Sequence, residues 1–173
     1  MNNNSFYISD NYFSNPKELV VQSYNYIPKD VVKICSTRFS VPTKGTAGSA
    51  AYDIRADLSH EVVKIIEPNQ TLTIGTGLTL ELPKNLMALL LPRSGLATNH
   101  GITLSNAVGL IDPDYRGEIK VSIKNTGSES FLIKDGDRIA QMLIMGFVSP
   151  EFVSVKEVLY TTRGDNGFGS TGV

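Results

Sequence analysis

Tryptophan is absent from this sequence, cysteine occurs once and histidine twice, and these scarcities remove whole classes of chemistry. With Cys35 alone there is no intrachain disulfide and no cysteine-rich zinc site. His60 and His100 stand in no pattern like HExxH, so zinc-protease chemistry and serine- or cysteine-hydrolase chemistry both lack most of their parts. Any catalysis falls to carboxylates, arginines, hydroxyls and backbone amides. A field of one sign is missing too: a formal charge of −1 disfavours binding a nucleic acid through a broad basic surface, whereas a small anion needs only a local group of arginines. No apolar run approaches the roughly 20 residues that span a bilayer. The start, MNNNSFYISDNYFSNPKELV, lacks a basic segment followed by an apolar one. A soluble, intracellular protein that does not bind membranes is the expectation.

What is present is globular composition, 41% hydrophobic and 19% charged, in a length that suits a single domain. Residues 1–30 are rich in Asn, Ser and Tyr without periodicity and read as an extension or docking arm. Residues 31–160 read as the folded domain, and 161–173 as a glycine-rich lid or tail. Within the domain, short apolar or alternating runs separated by turn residues predict an all-β sandwich or barrel. From Gly117 to Asn125, Ile119, Val121 and Ile123 alternate with Glu118, Lys120, Ser122 and Lys124, the pattern of a half-exposed strand. Leu72, Ile74, Leu78, Leu80 and Leu82 form a second alternating stretch, where Gly75 and Gly77 mark a bulge or a close backbone approach. Asn125-Thr126-Gly127 and Lys134-Asp135-Gly136-Asp137 read as turns, and only Ser94 to His100 looks helical.

Five segments hold residues suited to chemistry. The tail, GDNGFGST from Gly164, nearly has P-loop spacing, but Ser170 stands in the lysine's place and too little of the sequence follows to open the required helix. Its glycines, Arg163, Ser170 and Thr171 still suit an anion, and Phe168 a planar ligand; a plain Gly/Ser tail is the alternative. NAVGLIDPDYRG, from Asn106, reads as a strand entering a tight turn and forming a hairpin with the strand that follows. Asp112 at its mouth either activates a water or serves as turn chemistry. Arg93-Ser94-Gly95 ends an apolar run, as an anion site or a capped helix start. Asp53 lies inside an apolar stretch and needs a metal or a cation, Arg55 or another. Arg138 and Gln141 fall on a strand, with solvated side chains as the default.

In this order and spacing, AGSAAYDIRAD, PRSGLA, NAVGLIDPDYRGEI, GDRIAQM and RGDNGFGSTG resemble the five motifs of the trimeric dUTPase family, from about Val31 to the last residue. Ala51 stands where a glycine is more usual, and Asp165-Asn166 where the tail has smaller residues. The resemblance implies a jelly-roll-type β-barrel (β-clip) assembled as a homotrimer, with sites shared between chains and the tail closing a neighbour's site. It implies a dUTP diphosphatase that uses Mg²⁺ and yields dUMP and pyrophosphate. Asp112 would position the attacking water, and Asp53 would act on the metal through water. Arg93, Ser94, Gly95, Arg138 and Gln141 would serve the phosphate chain, closed over by Arg163, Gly169, Ser170 and Thr171. Phe168 would stack on uracil, backbone groups around Asn106, Gly109 and Leu110 would read its edge, and Tyr115 would exclude a 2′-hydroxyl. Two rivals remain: a dCTP deaminase, which would carry a catalytic glutamate where this chain has Ser122, and a catalytically inert protein of the same fold.

Overall fold

The computed structural model describes residues 32–39, 41–59 and 61–167. The N-terminal extension expected over residues 1–30 lies outside them, as do Phe168, Gly169, Ser170 and Thr171. In chain order the described elements are β1 (Lys33–Ser36), β2 (Tyr52–Arg55), β3 (Val63–Ile66), β4 (Thr71–Gly75), β5 (Leu78–Glu81) and β6 (Leu86–Leu91). There follow α1 (Ser94–His100), β7 (Ile102–Leu104), β8 (Gly109–Ile111), β9 (Lys120–Asn125), β10 (Phe131–Lys134) and β11 (Arg138–Gly146). The fold is all-β, as the alternating runs predicted. Among the described residues no helix is long and apolar enough to cross a membrane.

Every strand pair is antiparallel. The sheets run β1-β5, β10-β3, β2-β11-β6-β8 and β4-β9-β7. They close on a core rich in β-branched side chains: Ile54, Ile66, Ile74, Ile102, Ile119, Val121, Ile123 and Ile133 are almost wholly buried, suiting the restricted rotamers of Val and Ile on a pleated surface. The alternation read from Gly117 onward is therefore real, with Ile119, Val121 and Ile123 inward. The second stretch divides between β4 and β5 at Thr76-Gly77, where Gly77 has φ +64°. The Glu118 carboxylate seals that break, accepting from the amides of Thr76 at 3.0 Å and Gly77 at 2.9 Å. A β-carbon on Gly75 would lie 2.7 Å from the same oxygen, so the close approach expected there is present.

One expectation is overturned. β8 does not pair with β9: it joins β6, while β9 lies between β4 and β7. The hairpin is β7–β9, continued by the bond from Ser105 N to Ser122 O at 2.9 Å. Residues 106–119 form its long excursion, and β8 crosses to the neighbouring sheet. The reason is register: with Ile102 and Leu104 buried opposite Asn125 and Ile123, β9's edge is already occupied when the chain reaches Gly109.

Candidate active site

The row Asp53, Gln141, Leu91 runs straight across β2, β11 and β6, each residue opposite the next. Side chains opposite one another share a face of the sheet, so Asp53 and Gln141 point together, and the chain leaving Leu91 delivers Pro92 and Arg93 to the same place. Arg138, three residues before Gln141, would face the other way on a regular strand. A register shift between Arg138 and Ala140 prevents this. Ile139 and Ala140 are both buried in succession, and the extra residue returns Arg138 to the side of Gln141.

The result is a cleft of about 520 Å³ lined by Asp53, Arg93, Ser94, Gly95, Arg138 and Gln141, with the 45–51 loop closing one side. Asp53 sits between two arginines, its Oδ2 3.1 Å from Arg138 Nη1 and its Oδ1 3.4 Å from Arg93 Nε. The carboxylate is only 17% exposed, and pairing answers the cost of burying its charge. Arg55, the partner weighed from sequence, is turned away and donates to Gly136 O instead. Arg93 also donates to Arg138 O at 2.9 Å and Gln141 to Pro92 O at 3.0 Å. Gln141 is thus half-buried and bonded rather than solvated. The N-cap of α1 is Arg93, with no side-chain cap bond, so Ser94 opens the helix without capping it and its hydroxyl is exposed.

The second group of expected residues stands apart. Gly109 is buried in β8, where a β-carbon would meet Leu90 Cβ at 3.1 Å. Leu110 is exposed. Asn106 begins a tight turn in which Ala107 has φ +60° and Val108 N donates to Asn106 O at 2.6 Å. Asp112 is exposed and lines a separate cleft of about 570 Å³ with Leu82, Lys84, Pro113, Asp114 and Arg116. Its carbonyl accepts from Tyr115 N at 3.2 Å, closing the turn, and the Tyr115 hydroxyl donates to Glu118 O at 3.0 Å. Arg163 lies in a short turn, bonded to Asn166 O, and lines neither cleft. Within one chain the arginine cleft and the Asp112 excursion are therefore separate surfaces.

The family model for dUTPase matches residues 37–172. The chain belongs to the dUTPase family. It is 50% identical over 134 residues to a deoxyuridine 5′-triphosphate nucleotidohydrolase of Neisseria meningitidis serogroup A, covering 77% of this chain and 88% of that one. It superposes on the dUTPase of Staphylococcus bacteriophage 80alpha, solved with dUpNHpp, with TM-score 0.74 and 25% identity over 83% of this chain and 99% of that one. A variant dUTPase of phage phi11 of S. aureus, described with a structural Mg(II) ion, shares the fold at TM-score 0.66 and 22% identity, over 74% and 98% of the two chains.

Against this family background, sequence reasoning missed the 45–51 loop as a wall of the cleft: Gly45, Ser49, Ala50 and Ala51 line it. Ser49 organises the loop, its hydroxyl accepting from Thr46 N at 3.0 Å while its own amide donates to Thr46 O. The small residues of AGSAA were the available signal, because small side chains in a row permit such an approach. A metal held by protein groups alone is not provided for: among the described residues no three His, Cys, Asp or Glu side chains converge. The cleft's donor set, the Asp53 carboxylate with the Ser49 and Ser94 hydroxyls, fits a hard cation that keeps waters and takes other ligands from phosphate oxygens.

Proposed function

We propose that this protein hydrolyses dUTP to dUMP and pyrophosphate, limiting uracil incorporation into DNA and supplying dUMP for dTMP synthesis. The observation that carries the reading is the arginine cleft, where Arg138 and Gln141 on β11 and Arg93 at the start of α1 are fixed around one carboxylate, as recognition of a phosphate chain requires. A 50%-identical relative bearing that activity's name supports the substrate class. In this reading Asp112 accepts the proton of a water as its oxygen bonds to the α-phosphorus. The bond from the α-phosphorus to the bridging oxygen breaks, and pyrophosphate leaves. Arg93, Arg138 and Gln141 hold the phosphate chain in line, so that positioning and charge neutralisation supply most of the acceleration. Mg²⁺ carried by the triphosphate, with Asp53 behind a water, would neutralise further phosphate charge. Backbone groups of Asn106, Gly109 and Leu110 read the uracil edge, and the tail, with Arg163, Phe168, Gly169, Ser170 and Thr171, closes the site.

The reading includes a homotrimer. Two observations support it: the two clefts are separate within one chain, and residues 147–160 have no sheet partner among the described residues. In that segment Phe152 is 97% exposed and Leu159 93% exposed, surface that suits burial on another copy. Deamination of dCTP has little to support it, since Ser122 offers only a hydroxyl, paired with Ser105 Oγ at 2.7 Å, where a carboxylate is needed. Pyrophosphate release measured from dUTP, UTP, dCTP and dTTP, with and without Mg²⁺, tests the proposal. Rapid release from dUTP alone is expected. Ammonia from dCTP would replace the reading with a deaminase, and silence across the panel would leave a binding protein.

A further inference from the structure

Tyr115 owes its position to three contacts, one of which points to a residue with no role so far. Its amide closes the turn on Asp112 O, and its hydroxyl is tied to Glu118 O. The phenol end of the ring then covers Gly117: a β-carbon there would stand 2.6 Å from Tyr115 Cζ, 3.1 Å from Cε2, and nearer still to the hydroxyl. Contacts under 3 Å force a shift. The backbone itself does not call for glycine, since Gly117 is not among the described glycines with positive φ. The side chain of Tyr115 is the reason. Glu118, whose carbonyl receives the hydroxyl, is in turn fixed by the Thr76 and Gly77 amides on its carboxylate, so the ring cannot move together with its anchor. We infer that Gly117 is a specificity-determining positioning residue: its missing side chain seats the Tyr115 ring where it discriminates deoxyribose from ribose.

The inference rests on the dUTP reading above, and the two fail differently. The experiment is kcat/KM for dUTP and for UTP, each with Mg²⁺, in the full chain and in Gly117→Ala. The dUTP-to-UTP ratio in the variant falls by about tenfold or more, because a displacement of about 1 Å at a positioning group has effects of that order. A ratio unchanged in an active variant overturns the inference, whatever happens to the absolute rates. So does an unsubstituted chain that turns over both nucleotides equally well, whereas one inert on dUTP defeats the underlying reading instead. In a Tyr115→Ala background the ring is gone, so adding Gly117→Ala leaves the ratio where Tyr115→Ala put it; a further fall overturns the assignment. Should Gly117→Ala not fold, as judged by circular dichroism, Tyr115→Phe carries the test. It keeps the ring, releases it from Glu118 O, and lowers the ratio by a smaller factor, about threefold for one lost neutral hydrogen bond. An unchanged ratio there removes the seating of the ring as the discriminating device.

Discussion

Asp53 places a negative charge where the proposed substrate brings more. Its two oxygens are taken by Arg93 and Arg138, so a phosphate chain entering the cleft must share both cations with it. Such a carboxylate opposes a bare triphosphate and favours one that arrives with a cation, because like charges a few ångströms apart repel strongly in a partly enclosed site. Asp53→Asn keeps the shape and removes the charge. Calorimetric titration with a non-hydrolysable dUTP analogue then gives tighter binding than the parent without Mg²⁺, and the gain on adding Mg²⁺ shrinks about tenfold. If that gain is unchanged, Asp53 serves only to prop the arginines. This residue was legible in the sequence as a buried charge needing a partner, but the partner was not. Arg55 is nearest in the chain and, two residues on in β2, shares a strand face with Asp53, yet its guanidinium is committed to Gly136 O, and the true partners come from forty and eighty-five positions along.

At the scale of elements, Asn125 joins three segments. It is fully buried at the end of β9, donating to Ile66 O at 3.0 Å and Glu129 O at 2.7 Å and accepting from Gly127 N at 2.9 Å. Asn125→Ala strands three backbone groups at once, and destabilisation of ~2–4 kcal/mol is expected from urea unfolding with an unchanged m-value. A cost below ~1 kcal/mol would mean that water replaces the amide. The turn after Asn125 was visible in the sequence, as were β9 and α1, because alternation and turn residues are local signals. Strand pairing was not. β8 leaves its sequence neighbour for β6, a choice made by competition for one edge of β9 and invisible to any local pattern. The β11 bulge is hidden for a similar reason: Arg138-Ile139-Ala140-Gln141 has no glycine to mark it, and only the demand that both Ile139 and Ala140 be buried creates it.

For the whole molecule, the separation of the two clefts makes a sharp demand. If each site draws its arginines from one chain and its Asp112 from another, two inactive variants mixed as subunits restore one another. Asp112→Asn and Arg93→Ala chains, each lacking turnover alone by several orders of magnitude, regain a readily measured fraction of dUTP hydrolysis after unfolding and refolding together. Chains refolded separately and then mixed do not. Failure of the refolded mixture to recover would return both groups to a single chain. The motifs could be ordered from sequence alone, but nothing local states whether a chain completes its own site, because that depends on distances between surfaces and not on spacing along the backbone.

The segment 147–160 has a consequence of a different kind. Val148, Phe152, Val158, Leu159 and Tyr160 all stand nearly free of the barrel, so a newly made chain finishes its own core with this stretch still bare. In the proposed homotrimer, covering it is an encounter between molecules whose speed rises with the number of copies present. Until that encounter the chain is most exposed to proteolysis and to wrong association. Abundance thus sets how long each copy stays vulnerable.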